Sequence, residues 1–226
     1  MCKPCSNKAR PKESYKHKYF RNESFFSREN LSPLSCYWAG FIAADGCINT
    51  GRASTTLSIK ISNRDYHLLE QFLKDTESTN PILNCTNQNQ SRLMLVSSPW
   101  VSDLAEVFNI KSRKSCTYTF PDLNNEDLIK AFIVGYIDGN GSICFIGTKK
   151  YLKLSLSGTS ELLNWIKSYF DKWVAPTRAK KSIQHDIGGT INICEYAIYG
   201  ERALTLINIL KASYGSKMTR KWEKTS

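Results

Sequence analysis

No run of eighteen apolar residues occurs in this 226-residue chain, so no membrane span is expected. The first twenty residues, MCKPCSNKARPKESYKHKYF, lack the apolar stretch of a secretory signal. An intracellular, cytoplasmic protein is therefore expected. Paired cysteines are also scarce. Cys36, Cys47, Cys85, Cys116, Cys144 and Cys194 stand singly in apolar or strand-like stretches, which fits reduced thiols used as small buried hydrophobes. Cys2 and Cys5 form a C-x2-C pair, half of a zinc knuckle. A structural zinc needs four ligands, yet no second pair follows nearby and His17 stands alone. Acidic residues are outnumbered, 20 against 31 Lys and Arg, leaving a net charge of +11. An excess of that size points to a polyanionic partner, of which nucleic acid is the commonest. The hydrophobic share of 41% is ordinary for a globular chain, and the length allows one large domain or two small ones.

The chain contains itself twice. WAGFIAADGCI begins at Trp38 and IVGYIDGNGSI at Ile133, an offset of 133 − 38 = 95. LSIKIS begins at Leu57 and LKLSLS at Leu152, again 152 − 57 = 95. LLEQFL at Leu68 and LLNWIK at Leu162 follow in the same order. Three elements at a nearly constant spacing define two homologous halves, about 31–122 and 123–226, behind an N-terminal segment, 1–30. In each half a helix ends in Asp-Gly or Asn-Gly. Two strands, a helix, two more strands and closing helices follow.

Leu57, Ile59 and Ile61 alternate with Ser58, Lys60 and Ser62; Leu152, Leu154 and Leu156 alternate with Lys153, Ser155 and Ser157. Each sheet should have one apolar face and one polar, basic face. Leu68, Leu69, Phe72 and Leu73 have helical spacing, as do Leu162, Ile166, Tyr169 and Trp173, so these helices should cover the apolar faces. The fold class is α+β: two pseudo-symmetric αββαββα halves whose polar sheet faces form a saddle.

The repeated motif carries small residues where a helix gains nothing from them. Gly40 and Ala44 lie four apart, as do Gly135 and Gly139. A helical glycine costs about 1 kcal/mol relative to alanine, so the pattern suggests another backbone coming close. The two motif helices should pack on each other through these residues. Trp38, Phe41 and Ile42, and likewise Ile133, Tyr136 and Ile137, should point into each half's own core. Asp45 and Asn140 then meet near the pseudo-twofold axis, beside the exposed C-terminal carbonyls of both helices. Such oxygen-rich, negative surroundings suit Mg2+.

WAGFIAADG and IVGYIDGNG resemble the two motifs of a single-chain LAGLIDADG homing endonuclease, over about residues 31–226. That resemblance implies motif helices at the interface and a β-saddle in the major groove of double-stranded DNA. It implies metal-dependent phosphodiester hydrolysis by a monomer at a long specific site. Asp45 and Asn140 take the metal-ligand position of each motif, and the carbonyls of Ala44 and Gly139 become secondary ligands. RKS at Arg113 to Ser115 and RKW at Arg220 to Trp222 fall at matching places, so Lys114 and Lys221 become candidates for the basic residue facing the water network or the scissile phosphate. The family pattern has Asp or Glu at both metal positions, and here the second is Asn140. Its amide oxygen can ligate but brings no charge. Asp138, about 200° away around the helix, is an imperfect substitute. A nickase or slow cutter, a non-cleaving nucleic-acid binder such as an RNA maturase or DNA-binding regulator, and an introduced change at position 140 all fit. A splicing-domain origin does not fit, because the chain starts at Met1 without a nucleophile and ends Thr225-Ser226 without His-Asn.

Residues 1–30 hold eight Lys/Arg and three Asp/Glu, interleaved with Tyr15, Tyr19, Phe20, Phe25 and Phe26. They read as an arm along DNA, anchored to the first half by Phe25 and Phe26. Candidate DNA-reading side chains on the polar strand faces and turns are Asn49, Arg52, Lys60, Gln88 and Arg92 in the first half. Lys149, Lys153, Arg178, Lys180 and Gln184 are their counterparts in the second. With this many phosphate contacts, affinity for duplex DNA should fall about 1,000-fold or more between roughly 50 and 200 mM salt. A titration across that range checks it, and a flat response excludes the contact scheme.

Overall fold

The computed structural model describes residues 19–51, 54–85, 88–148, 150–176, 184–185 and 193–223. Cys2, Cys5, Tyr15, His17, Arg52, Lys149, Arg178 and Lys180 lie outside them.

The first half runs α1 (Pro33–Asp45), β1 (Gly46–Thr50), β2 (Thr55–Ser62), α2 (His67–Asp75), β3 (Ile82–Cys85), β4 (Gln90–Val96) and α3 (Ser98–Glu106). The second repeats it as α4 (Glu126–Asn140), β5 (Gly141–Ile146), β6 (Tyr151–Gly158), α5 (Ser160–Trp173), β7 (Gln184–His185), β8 (Cys194–Tyr199) and α6 (Gly200–Ser213), with a short α7 (Thr219–Trp222). Both sheets are antiparallel and share one order, β1-β2-β4-β3 and β5-β6-β8-β7. This is the doubled αββαββα arrangement expected from the 95-residue repeat. No described helix is long and apolar enough to cross a membrane.

The motif helices start on strong caps. The Ser32 side chain accepts from the Ser35 amide and Ser35 answers in a capping box, with Pro33 opening the first turn. The Asn125 side chain caps α4 through the amides of Asp127 and Leu128. Residues 35–43 of α1 and 131–138 of α4 are buried without interruption, as in helices enclosed on every side. The glycines explain how two such helices fit together. A Cβ on Gly40 would lie 2.0 Å from the Phe132 carbonyl oxygen, and one on Gly135 1.9 Å from that of Tyr37. One turn on, a Cβ on Gly139 would lie 2.2 Å from that of Ala44. The backbones therefore touch at Gly40, Ala44, Gly135 and Gly139, the four residues read from sequence.

Each half has its own core. Trp38 packs edge-on against Phe72 of α2, and Leu57, Ile59, Leu93 and Leu95 line the sheet beneath. In the second half Leu162, Leu163, Ile166 and Phe170 are the buried stripe of α5. Tyr169 and Trp173, expected there, are only half-buried, because the helix rolls to favour Leu163 and Phe170. Phe25 and Phe26 are buried against Trp100, which donates its indole N–H to the Asn22 carbonyl at 2.8 Å. The described part of the arm, from residue 19, is thus fixed to the first half.

A segment late in the second half crosses back to the first. Arg220 makes paired bonds of 2.5 and 2.7 Å to buried Asp65, and the Lys217 ammonium lies 3.2 Å from Asp75 and above the Tyr37 and Trp38 rings. Burial would raise the Asp65 carboxyl, but the Arg220 guanidinium outweighs it and holds the group below its usual range.

The helix contact yields a direct test. Gly135→Ala should destabilise the protein by about 3 kcal/mol or more, despite the better helix propensity of alanine, because the methyl meets backbone that cannot yield. Gly215→Ala, where an added Cβ meets nothing within 4 Å, should be nearly neutral. Urea denaturation compares the two, and equal midpoints would contradict the packing described.

Candidate functional site

Asp45 and Asn140 are the last residues of α1 and α4. Gly46 and Gly141 then turn extended and lead straight into β1 and β5. A Cβ at either glycine would come within 2.6 Å of the carbonyl of Ile42 or Ile137, so only glycine lets the strand leave the helix so abruptly. Asp45 is half-buried and Asn140 exposed. The Asp45 carboxyl carbon would lie 3.5 Å from a Cβ on Gly139, which sets the carboxylate against the partner helix at the crossing.

Two lysines face this carboxylate, one from each half. Lys114 sits in a short 3-10 turn, is 9% exposed, and donates to the Gly46 carbonyl at 2.7 Å. Lys221, on α7, donates to the carbonyls of Ile137, Asp138 and Gly139 at 3.1, 2.5 and 3.0 Å, closing the C-terminus of α4. Burial raises the Asp45 carboxyl above its usual range, and the charges of Lys221 and Lys114 only partly oppose that. Burial likewise lowers Lys114 and brings Lys221 down to about 8, while Asp45 pulls both the other way.

Beside the helix ends lies a cavity of about 230 Å³ whose lining includes Ala44, Lys114, Tyr118, Tyr136 and Asn140. The structure thus brings together Asn140, Lys114 and Ala44 around one space, while Asp45 stands at the helix crossing within the electrostatic reach of Lys114 and Lys221. The Gly139 carbonyl differs from expectation, since the Lys221 ammonium already holds it.

Asp138 is no substitute carboxylate. It is fully buried and accepts from the Tyr37 hydroxyl at 2.5 Å, the Trp222 indole at 2.6 Å, the Ser216 hydroxyl at 2.7 Å and the Met218 amide at 3.2 Å. It ties α1, α4 and the segment before α7 into one node, and so fixes the backbone that carries Lys221. The identical position in the first half is Ala43, which is a hint that Asp138 has a non-repeated task. Its partners could not be read from sequence.

The outer face of the first sheet carries the expected polar residues, with exposed Leu83, Met94 and Val96 among them. Asn49, Lys60 and Gln88 are exposed and Arg92 half-exposed. Lys60 pairs across the ladder with Arg92, its ammonium 2.5 Å from the Gln88 amide oxygen, and Arg92 donates to Ser58 at 2.9 Å. The second face is less basic than expected. Lys153 is tied to Glu195 at 2.6 Å, which raises its pKa through that hydrogen bond, and exposed Ile146 and Tyr151 share its face. Gln184 pairs in register with Glu195 on β8.

Among the described residues no cluster of three or more His, Cys, Asp or Glu exists. A metal here would not be caged by protein alone. One carboxylate, one amide oxygen and a helix-end carbonyl suit a hard divalent cation that takes its other ligands from water and phosphate. The incompletely compensated charge of half-buried Asp45 fits such an added cation.

No protein-family model matches the sequence, and no curated protein matches it. The fold itself is that of LAGLIDADG homing endonucleases. It is similar to the LAGLIDADG meganuclease I-AabMI bound to uncleaved DNA, with TM-score 0.59 and 12% identity over 86% of this chain and 89% of that one. The homing endonuclease I-GzeII in complex with its DNA target gives 0.56 and 14%, over 86% and 87%. I-SmaMI bound to uncleaved DNA in the presence of calcium ions gives 0.50 and 14%, over 82% and 85%.

The half-buried carboxylate carries a stability cost that can be measured. Its raised pKa means that the ionised form disfavours folding at neutral pH. Asp45→Asn should therefore raise the melting temperature by about 2 °C or more near pH 7.5, a gain that shrinks as acid protonates Asp45 in the parent. Calorimetry at several pH values reads this, and a lower melting temperature would mean that the Lys114 and Lys221 attractions outweigh burial.

Proposed function

We propose that the chain is a site-specific endonuclease of the LAGLIDADG type, a monomer that lays its two sheets along a long double-stranded DNA site and hydrolyses phosphodiesters with Mg2+. One observation carries this reading: where α1 crosses α4, Lys114 and Lys221 both act on the Asp45 carboxylate, and Lys114 and Asn140 line one cavity beside the helix ends. The DNA complexes of the similar folds support it. Asp45, the Asn140 amide oxygen and the Ala44 carbonyl would hold the cation, which when bound lends Lewis acidity toward a phosphate oxygen. Lys114 and Lys221 set positive charge where a scissile phosphate gathers negative charge. Asn49, Lys60, Gln88 and Arg92 face the duplex from the first sheet, whereas Lys153 must be released from Glu195 or remain a spectator.

Asn140 and the Lys221 hold on Gly139 favour a second reading, a nucleic-acid binder that does not cut or cuts one strand only. Selection of a bound duplex from a randomised library, followed by incubation of a supercoiled plasmid carrying it with and without Mg2+, separates the two. Linear product means both strands are cut, open circles mean nicking, and unchanged plasmid supports the binder. If the enzyme reading holds, Asn140→Asp should raise the yield of linear product about tenfold or more, in line with an added carboxylate ligand. An unchanged yield would show that position 140 does not limit the rate.

A further inference from the structure

Lys221 stands on a helix too short to hold itself. The single turn of α7 has no side-chain cap bond, and an isolated turn is unstable on its own. Its other residues fix it from two directions. On one side Trp222 gives its indole N–H to Asp138 of α4 at 2.6 Å. On the other, Arg220 crosses to the first half and meets Asp65, 155 residues away in sequence, through paired bonds of 2.5 and 2.7 Å. Asp65 is 3% exposed and ends the 3-10 turn Asn63–Asp65 that follows β2. Nε of Arg220 meets one carboxylate oxygen and a terminal nitrogen meets the other, a fork that sets direction as well as distance. Between these anchors the Lys221 ammonium reaches the carbonyls of Ile137 and Gly139 at 3.1 and 3.0 Å. Lys217, earlier in the segment, also reaches the first half at Asp75, but an ammonium is a point charge and fixes no direction.

Lys114 is held differently. It belongs to the first half, and its bond at 2.7 Å is to Gly46 of that same half. Arg113, the residue before it, is exposed. Ninety-five residues beyond Asp65 the repeat places Ser160, so the acid has no counterpart there. We propose that Asp65 is a positioning residue for Lys221: a carboxylate of the first half, acting through Arg220, fixes where the lysine of the second half meets a scissile phosphate. Only Lys221 depends on it, so the two strands of a duplex should feel its loss unequally. The inference rests on the endonuclease reading above and adds that one centre is completed across the junction between the halves.

Cleavage of each strand is followed separately on an end-labelled selected duplex, in the parent chain and with Asn140→Asp, well below the melting temperature of each variant. Asp65→Asn keeps the size and Arg220→Lys the charge, and both lose the fork. Each should slow, about tenfold or more, the same single strand that Lys221→Met slows, and change the other less than about twofold. Added to Lys221→Met, Asp65→Asn should cost less than about twofold more. Equal slowing of both strands would make the ion pair a brace of the fold only, and a loss that adds in full to that of Lys221→Met would show that Asp65 does not act through the lysine. Either result overturns the proposal, as does a Lys221→Met variant that cuts both strands at the parent rate. Hydrogen exchange of residues 216–222 in the DNA-free protein separates this from the endonuclease reading. Asp65→Asn should speed it about fivefold or more, and unchanged exchange overturns the clamp. Faster exchange in a chain that cuts neither strand overturns the endonuclease reading, and with it the task given to Asp65, while the clamp itself stands.

Discussion

Contact between two helix backbones governs this molecule. At Gly40 and Gly135 the helices α1 and α4 approach so closely that a methyl group would overlap the opposing carbonyl. Each helical glycine costs about 1 kcal/mol of intrinsic propensity, offset by the unbroken burial of residues 35–43 of α1 and 131–138 of α4. The same contact sets Asp45 against Gly139. It also places two four-stranded sheets on either side of one axis. Neither sheet contributes a central residue of its own; the ends of α1 and α4 supply Asp45 and Asn140, and a 3-10 turn and α7 supply Lys114 and Lys221.

The centre is built against stability. A half-buried carboxylate and two largely buried lysines share a small volume, and each has a pKa displaced by desolvation. Groups held this way are common where charge must act on a ligand rather than on the fold. The two halves do not hold their lysines alike. Lys114 reaches the first glycine beyond α1, whereas Lys221 closes the carbonyl end of α4 itself. Together with Asp45 against Asn140, this makes the pseudo-symmetric frame chemically lopsided.

The segment from Ser216 to Trp222 is what keeps the lopsided side in place. Asp138 gathers Ser216, Met218 and Trp222, and Arg220 reaches over to Asp65 in the other half. The half-to-half junction is therefore a greasy helix crossing stapled at its edge by buried ionic and hydrogen-bonded groups. Removing one partner of such a group costs more than the pair contributes, because the other charge is stranded.

Much of the frame was legible in the chain. The 95-residue repeat, the alternation of Leu57 to Ser62 and Leu152 to Ser157, and the i, i+4 small residues are local patterns, and local patterns report local geometry. They sufficed for the αββαββα halves and the helix crossing. Tertiary structure alone decided that Asp138 is spent on Tyr37 and Trp222, that Glu195 neutralises Lys153, and that Lys221 covers Gly139. Each depends on a partner roughly forty to a hundred residues away. A side chain's partner across such a distance follows from how whole elements pack, and no periodicity within one element records it.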